Sequence, residues 1–189
     1  MPAFLPVTLT TARLRLRHVQ ERDRDAYYAI FSDPLVMRYY SGSAWTELSQ
    51  ASEAIARAIA DYASGDGLRF AIERIDGDGA GAAAMVGTIS LHHFFAQNRR
   101  CEVGYAMASA HWGQGFLGEA MQAVVDHAFG ALDMNRIEAD IDPRNAASSK
   151  VLLRVGFEKE GFMPERWIVN GEVCDTDFYG LLRRTWEAR

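Results

Sequence analysis

The sequence has few cysteines and no long apolar run. Cys101 and Cys174 are the only two cysteines among 189 residues, and no CxxC or HExxH spacing accompanies them. This argues against a disulfide framework and against a zinc site, and leaves either thiol as an inert packed residue. No segment approaches the run of about 20 apolar residues that a membrane-spanning helix needs. We therefore expect neither a bound metal nor a membrane partner.

Basic residues are also in short supply, because the net charge is -5. A phosphate backbone favours a basic surface, so we expect no general binding of nucleic acid. The charge mildly favours a cationic substrate, although it would equally serve solubility alone. Met1 to Thr11 lacks the basic start and apolar stretch of a secretory signal, which predicts a cytoplasmic protein.

The length and the pattern of apolar residues predict one α+β domain over residues 1–189. Arg13 to Arg17 alternates as a strand does, and helical spacing covers Glu21 to Phe31, closed by Asp33-Pro34. A second apolar stripe, from Ala51 to Tyr62, ends at Ser64 to Gly67. Later strands are predicted at Leu68 to Ile75, Val86 to Leu91, Cys101 to Ala108 and Arg136 to Asp142.

Turn residues divide the remaining chain. Asp76 to Gly81 is rich in glycine and aspartate and predicts a loop. A short helix is expected from Asn145 to Val155, with Gly156 as its left-handed terminating residue. Asn170-Gly171 lies between two apolar runs and predicts a hairpin with a type I′ turn. Strands, helices and terminal strands in this order indicate a mixed sheet.

A glycine cluster, Gly113-x-Gly115-x-x-Gly118, lies between a predicted strand and a predicted amphipathic helix. Free amides and the dipole at a helix start bind anions, and glycines let a diphosphate approach. The same letters match a dinucleotide-binding motif, with Glu138 or Asp140 about 20 residues later. Too little chain follows for a doubly wound domain, and the short preceding turns indicate antiparallel pairing. Close packing of helix on strand is the remaining alternative.

Several motifs together resemble one enzyme family. The glycine cluster with Trp112 and Glu119-Ala120 is followed by Asn145 to Leu152 and Gly156-Phe157. Thr11 to Arg17, Ser32 to Met37, Glu160-Gly161 and Asp175 extend the likeness over nearly the whole chain. The combination is similar to the GNAT acetyltransferases of the RimJ/RimL-like branch.

This resemblance implies a mixed, mostly antiparallel sheet, splayed between its fourth and fifth strands and flanked by helices on both faces. It implies transfer of an acetyl group from acetyl-CoA, the donor cosubstrate, to a primary amine. The acceptor would be a protein N-terminal amine or a small-molecule amine. A CoA-binding sensor or assembly protein without turnover is the alternative, and a homodimer stays open.

The resemblance also assigns the donor site. The pantetheine arm would pair with the strand edge at Met107 and Ala108. The diphosphate would lie on the amides of Gly113, Gln114, Gly115, Phe116, Leu117 and Gly118. The side chain of Leu117, where the family has a small residue, must then turn away. Asn145 would lie near the thioester, although it is also a good N-cap for the next helix.

The resemblance places Ser148 to protonate the departing thiolate, although this serine would also suit an ordinary first helical turn. Leu152 stands where many family members have a tyrosine that acts as general acid, so that role would fall to Ser148, to water or to no group. The amine must lose a proton, and Glu102 is the first candidate base, followed by Glu160. Either glutamate would equally form a surface ion pair.

Five more side chains have weaker assignments. Tyr39, Tyr40 and Trp45 would line the acceptor site or belong to the core. His92 and His93, expected near a turn and without metal-like spacing, are predicted to be surface or packing histidines.

Overall fold

A computed structural model of the protein describes residues 4–75 and 84–188, so the predicted loop from Asp76 to Gly81 lies outside the described residues. The strands are β1 Leu9–Thr10, β2 Leu14–His18, β3 Gly67–Arg74, β4 Met85–Phe95, β5 Arg100–Met107, β6 Arg136–Ile141, β7 Glu158–Val169 and β8 Glu172–Leu182. The helices are α1 Arg24–Phe31, α2 Pro34–Met37, α3 Leu48–Ser64, α4 Phe116–Gly130, α5 Ala146–Val155 and α6 Arg183–Glu187.

The eight strands form one sheet in the order β1-β2-β3-β4-β5-β6-β8-β7. Among the described residues, β5 and β6 are the one parallel pair, joined through helix α4, and every other neighbouring pair is antiparallel. The predicted mixed, mostly antiparallel α+β sheet is therefore confirmed. The β5-α4-β6 unit explains why the glycine cluster matches a dinucleotide motif, and the antiparallel remainder excludes a doubly wound sheet.

Strands β5 and β6 pair only where they begin. Their register covers Arg100 with Arg136, Cys101 with Ile137 and Glu102 with Glu138. Beyond these pairs β5 continues to Met107 and β6 to Ile141, and the two strands separate. Strands β5 and β6 correspond to the predicted fourth and fifth strands, because the two-residue β1 was not predicted and raises every later strand number by one. The expected splay is confirmed.

Helices cover both faces of the sheet, as expected. Helices α4 and α5 pack on one face, where Met121, Phe129 and Leu152 join a cluster of buried strand residues. Helices α1 and α3 pack on the other face through Tyr27 and Ile55. Each helix has an apolar stripe at helical spacing, which accounts for this burial. Within the described ranges, no helix is both long and apolar enough to cross a membrane.

Element boundaries differ from the predictions in several places. The segment Glu21–Asp23 is a 3-10 turn, and the α-helix begins at Arg24. Pro34 opens helix α2, because proline suits a first helical position and the Asp33 carboxylate accepts a hydrogen bond from the Leu35 amide. Strand β4 runs to Phe95, well past the predicted end at Leu91. His92 and His93 consequently lie within the strand.

The predicted backbone turns are confirmed. Gly156 ends helix α5 with a φ of 94°, which is left-handed. The hairpin between β7 and β8 turns at Asn170 and Gly171, with φ values of 53° and 82°. Two successive positive φ angles are those of a type I′ turn.

We expect Gly156→Ala to lower the free energy of unfolding by about 1–2 kcal/mol, because an alanine Cβ disfavours the left-handed conformation. Urea denaturation measures the change. Gly130→Ala is the matched control: Gly130 lies in helix α4 with nothing within 4 Å of an added Cβ. It should leave the stability unchanged or raise it. Equal losses in both variants would contradict the terminating role of Gly156.

Candidate active site

A cavity of 520 Å³ opens where β5 and β6 separate. Its walls come from residues 38–41, the two diverging strands, the start of α5 and the β7-β8 hairpin. The structure brings Glu102, Asn145 and Ser148 together in this lining, as the sequence analysis expected for an active site. Tyr39 and Tyr40 also line it. Trp45 lies outside this cavity and stacks on Phe31 with ring centroids 4.7 Å apart, so it is a core residue.

Ser148 is buried and its hydroxyl oxygen lies 2.5 Å from that of Tyr105. Burial raises the pKa of Tyr105 to about 12, although the bond with Ser148 acts in the opposite direction. The phenol is therefore protonated at neutral pH, and the pair forms a two-hydroxyl chain. Tyr105 was missed as a site residue, because its β5 alternation indicates only a face shared with core residues.

Asn145 caps helix α5, and its side-chain oxygen accepts a hydrogen bond from the Ser148 amide at 3.1 Å. The predicted capping role is thus confirmed, and the residue also lines the cavity. One side chain therefore fixes the first turn of α5, on which Ser148 is carried.

Glu102 contacts both neighbouring histidines across the β4-β5 pair. Its Oε2 lies 3.0 Å from His93 Nδ1 and 3.9 Å from His92 Nε2. Burial, followed by the charge of His93, lowers the pKa of His92 to about 4, so this ring is neutral at pH 7. Both histidines also line the cavity.

Glu160 lies elsewhere. Both its oxygens accept hydrogen bonds from Arg136, which also bonds to Glu138. The hydrogen bonds from Arg136 are the largest cause of the lowered pKa of Glu160. The cavity lining does not include this carboxylate. Of the two candidate bases, only Glu102 is in the cavity.

The glycine cluster forms an open entrance to helix α4. Gly113 and Gly115 have φ values of 74° and 79°, and Gly115 is the N-cap. An added Cβ at Gly113 or Gly118 would meet nothing within 4 Å, so the space beside these amides is open. The first helical bond is donated by Glu119 to the Gly115 carbonyl. This geometry fits an anion such as a diphosphate.

Arg13 and Thr11 hold this helix entrance, and neither was assigned to the site from sequence. Both Arg13 and Thr11 donate to the Glu119 carboxylate, Arg13 from Nε at 2.7 Å and Thr11 at 2.5 Å. Arg13 also donates to the Gln114 carbonyl and lies over the Phe116 ring. Burial alone would raise the pKa of Glu119, but the bonds from Thr11 and Arg13 outweigh it and lower that pKa. The acidic group beside the anion site is therefore paired with a cation.

The backbone at the end of β5 is partly engaged. The Ala108 amide donates to Val86 and its carbonyl accepts from His111, so Ala108 has little left to offer a ligand. The Met107 carbonyl faces the other way and accepts from the Trp112 indole at 2.8 Å. The predicted edge pairing at Met107 and Ala108 stays a prediction, and both main-chain groups of Ala108 already have partners within the protein.

Three predicted side-chain positions agree with the geometry. The side chain of Leu117 packs against the α4 core cluster, leaving its amide at the helix start. Cys101 is buried, and burial raises the pKa of its thiol to about 12, which keeps it protonated. Cys174 is also buried, and it borders the cavity.

The family described as an acetyltransferase (GNAT) domain matches residues 13–158. The chain belongs to the GNAT acetyltransferase family. A GNAT relative, the uncharacterized N-acetyltransferase YoaA of Bacillus subtilis, is 36% identical over 93% of this chain and 96% of its own. The ribosomal-protein-serine acetyltransferase of Escherichia coli is 30% identical over 52% of this chain and 55% of its own.

Among solved structures, RimJ of Mycobacterium smegmatis, in complex with CoA-disulfide, is similar over 96% of this chain and 90% of that one. The TM-score is 0.84 and the sequence identity 26%. The resemblance to RimJ/RimL-like enzymes is confirmed, and the protein is an acetyl-CoA-dependent N-acetyltransferase.

We expect Glu119→Gln to lower the free energy of unfolding at pH 7 by about 1–2 kcal/mol, since a hydrogen-bonded charge is lost. The folded pKa of Glu119 is lowered, so its stabilisation is present above the ordinary carboxyl pKa and is lost as the pH falls through the folded value. Urea titrations at pH 7 and about pH 3 should show the gap between the two proteins closing. The exposed Glu53, changed to Gln, is the control and should show little effect at either pH. A gap that stays constant with pH would contradict the pairing.

Proposed function

We propose that the chain acetylates the N-terminal amine of a protein, with Glu102 as the base and the Tyr105-Ser148 pair as the acid. The observation that carries the chemistry is the position of these groups around β5. Glu102 lies on the face of β5 opposite to Tyr105, and the 520 Å³ cavity reaches both. A reacting centre in the gap between β5 and β6 would therefore have a carboxylate on one side and a hydroxyl on the other.

The proton balance assigns a task to each side. Glu102 takes a proton as the amine nitrogen forms its bond to the thioester carbonyl carbon. The bond between that carbon and sulfur then breaks, and Ser148 gives a proton to the departing thiolate. Tyr105 replaces this proton through the 2.5 Å contact with Ser148, and the phenol then regains a proton from water that enters the cavity after the product leaves. Tyr105 can donate because its phenol is protonated at neutral pH.

The donor side uses main-chain groups. The amides at the start of α4 would hold the diphosphate of acetyl-CoA, beside the cation of Arg13. The edge at Met107 would pair with the pantetheine arm. These groups position the thioester in the gap, and the chemistry there is left to the side chains of β5 and α5.

The form of the acceptor end supports a peptide. Among described residues, its lining includes five carboxylates and three arginines, an excess of negative charge that suits an ammonium group. Loop 38–41 and the β7-β8 hairpin form walls with the aromatic rings of Tyr39 and Trp167. This open surface, which carries both charged and aromatic side chains, can contact several residues of a substrate peptide. An N-terminal amine also titrates near 8, whereas a lysine amine titrates near 10.4, so the N-terminal amine gives up its proton more readily at neutral pH.

Replacing the acid pair should slow turnover without weakening acetyl-CoA binding. We expect Ser148→Ala and Tyr105→Phe each to lower kcat by about 100-fold, because a positioned acid is worth that much or more. Steady-state kinetics with detection of free thiol measures kcat, and titration calorimetry measures acetyl-CoA affinity. The matched control is Ser149→Ala, whose hydroxyl lies 2.8 Å from that of Tyr179. Unchanged kcat in both acid variants would remove the pair from the reaction.

The acceptor is tested with a panel of amines. Peptides with a free N-terminal serine or alanine should show kcat/KM at least tenfold above those of spermidine and of an N-terminally blocked lysine peptide. Peptides of six residues should have a higher kcat/KM than the matching dipeptides if the cavity contacts residues beyond the substrate's N-terminus. A higher kcat/KM for spermidine or another small amine would overturn the proposed acceptor. Binding of acetyl-CoA with no thiol release from any amine would instead indicate a sensor.

A further inference from the structure

We propose that His92, His93 and Glu102 form a binding site for a divalent transition-metal ion such as Zn²⁺ at the acceptor end of the cavity. The site stands on the geometry of β4 and β5 alone. Its consequence, exclusion of the amine, rests on the proposed function, because Glu102 is the proposed base.

A β-bulge creates the cluster. His92 pairs with Glu102 and Phe95 pairs with Arg100, so two residues of β4 lie opposite the single residue Cys101 of β5. In a regular strand, consecutive side chains point to opposite faces, and His93 would point away from Glu102. At the bulge His93 has a φ of 49°, and its ring turns back toward the same carboxylate. Bulges often occur where a strand re-aims a side chain beside an active site.

The donor atoms converge. Three ligand atoms, one from each residue, lie within 4.8 Å of one another. His93 Nδ1 and Glu102 Oε2 lie 3.0 Å apart. Zinc bonds of about 2.0–2.1 Å in a tetrahedron place donor atoms about 3.3 Å apart. The contact of His93 with Glu102 is already near this spacing, and small side-chain rotations of Glu102 and His93 would bring the 3.9 Å contact with His92 to it.

The surroundings orient His92 for this role. The imidazole lies over Gly104, where an added Cβ would come within 3.1 Å of the ring. The Ser90 hydroxyl lies 3.4 Å from Nδ1, which leaves Nε2 directed at Glu102. A metal-bound histidine usually has its second nitrogen held by such a partner.

The donor types select the metal. Two imidazoles and one carboxylate suit zinc and its neighbours among transition metals, whereas magnesium and calcium prefer oxygen ligands. Three protein ligands leave a fourth position for water in the cavity. With a metal bound, Glu102 can no longer accept a proton and the ammonium position beside it is filled. Metal binding should therefore inhibit competitively against the amine.

Titration calorimetry of the full chain with ZnCl₂, without acetyl-CoA or amine, tests binding. We expect one zinc ion per chain and no detectable binding of MgCl₂. His93→Ala and Glu102→Gln should each weaken zinc binding by about tenfold or more, because losing even an outer-shell partner of a ligand typically costs about 10- to 100-fold in affinity. His93 is largely exposed, so its loss should not affect folding. Added CoCl₂ should give the visible absorption of a tetrahedral site, and His93→Ala should abolish it.

His127→Gln is the matched control, since it removes an imidazole on helix α4 outside the cluster. It should leave zinc affinity unchanged. Absence of zinc binding, an unchanged zinc affinity in His93→Ala, or an equal loss of affinity in His127→Gln would each overturn the site. Because acetyl-CoA is absent from the titration, failure of the acetyl-transfer proposal would leave this result unaffected, and the reverse also holds.

Discussion

The divergence of β5 and β6 after Glu102 and Glu138 is the constraint on which the remaining structure depends. These strands begin as a parallel pair because helix α4 connects them. They then separate, since no pairing between them follows Glu102 and Glu138 although both strands continue. The gap exposes main-chain groups in the centre of the sheet, where they would otherwise be paired. Such groups need a partner, and an extended polar ligand arm can supply it.

The entrance of helix α4 lies at the end of the same gap, since the glycine cluster follows β5 directly. Its orientation is fixed from a distant part of the sequence. Thr11 and Arg13, at the turn between β1 and β2, hold Glu119 in the first turn of α4. The start of α4 is consequently tied to the turn between β1 and β2. Asn145 likewise holds the first turn of α5, because its side-chain oxygen accepts a hydrogen bond from the Ser148 amide.

Local patterns in the sequence predicted much of this fold. Four predictions are confirmed because each depends only on neighbouring residues. They are the strand alternation around Leu14, the apolar stripe of α3, the turn at Asn170-Gly171 and the end of α5 at Gly156. The glycine cluster was also predicted to open a helix.

Contacts between distant residues were not accessible in the same way. The Tyr105-Ser148 and Arg13-Glu119 pairs depend on the register of strands and helices. Glu160 could not be separated from Glu102, because its partner Arg136 lies on another strand. The β-bulge at His93 interrupts the regular alternation of the strand, and the residue types His92 and His93 do not predict a bulge. Expected near a turn, these histidines lie in the cavity wall because the β4-β5 pairing extends beyond Leu91.

Amide hydrogen exchange, resolved by residue in NMR spectra with and without acetyl-CoA, tests the central claim most directly. The splayed sheet and the open helix entrance predict slower exchange at the Met107 amide and at the amides of Phe116, Leu117 and Gly118 when acetyl-CoA is present. The Ala108 amide, already bonded to Val86, should change little. Unaltered exchange at the first turn of α4 and at Met107, under saturating acetyl-CoA, would contradict the account.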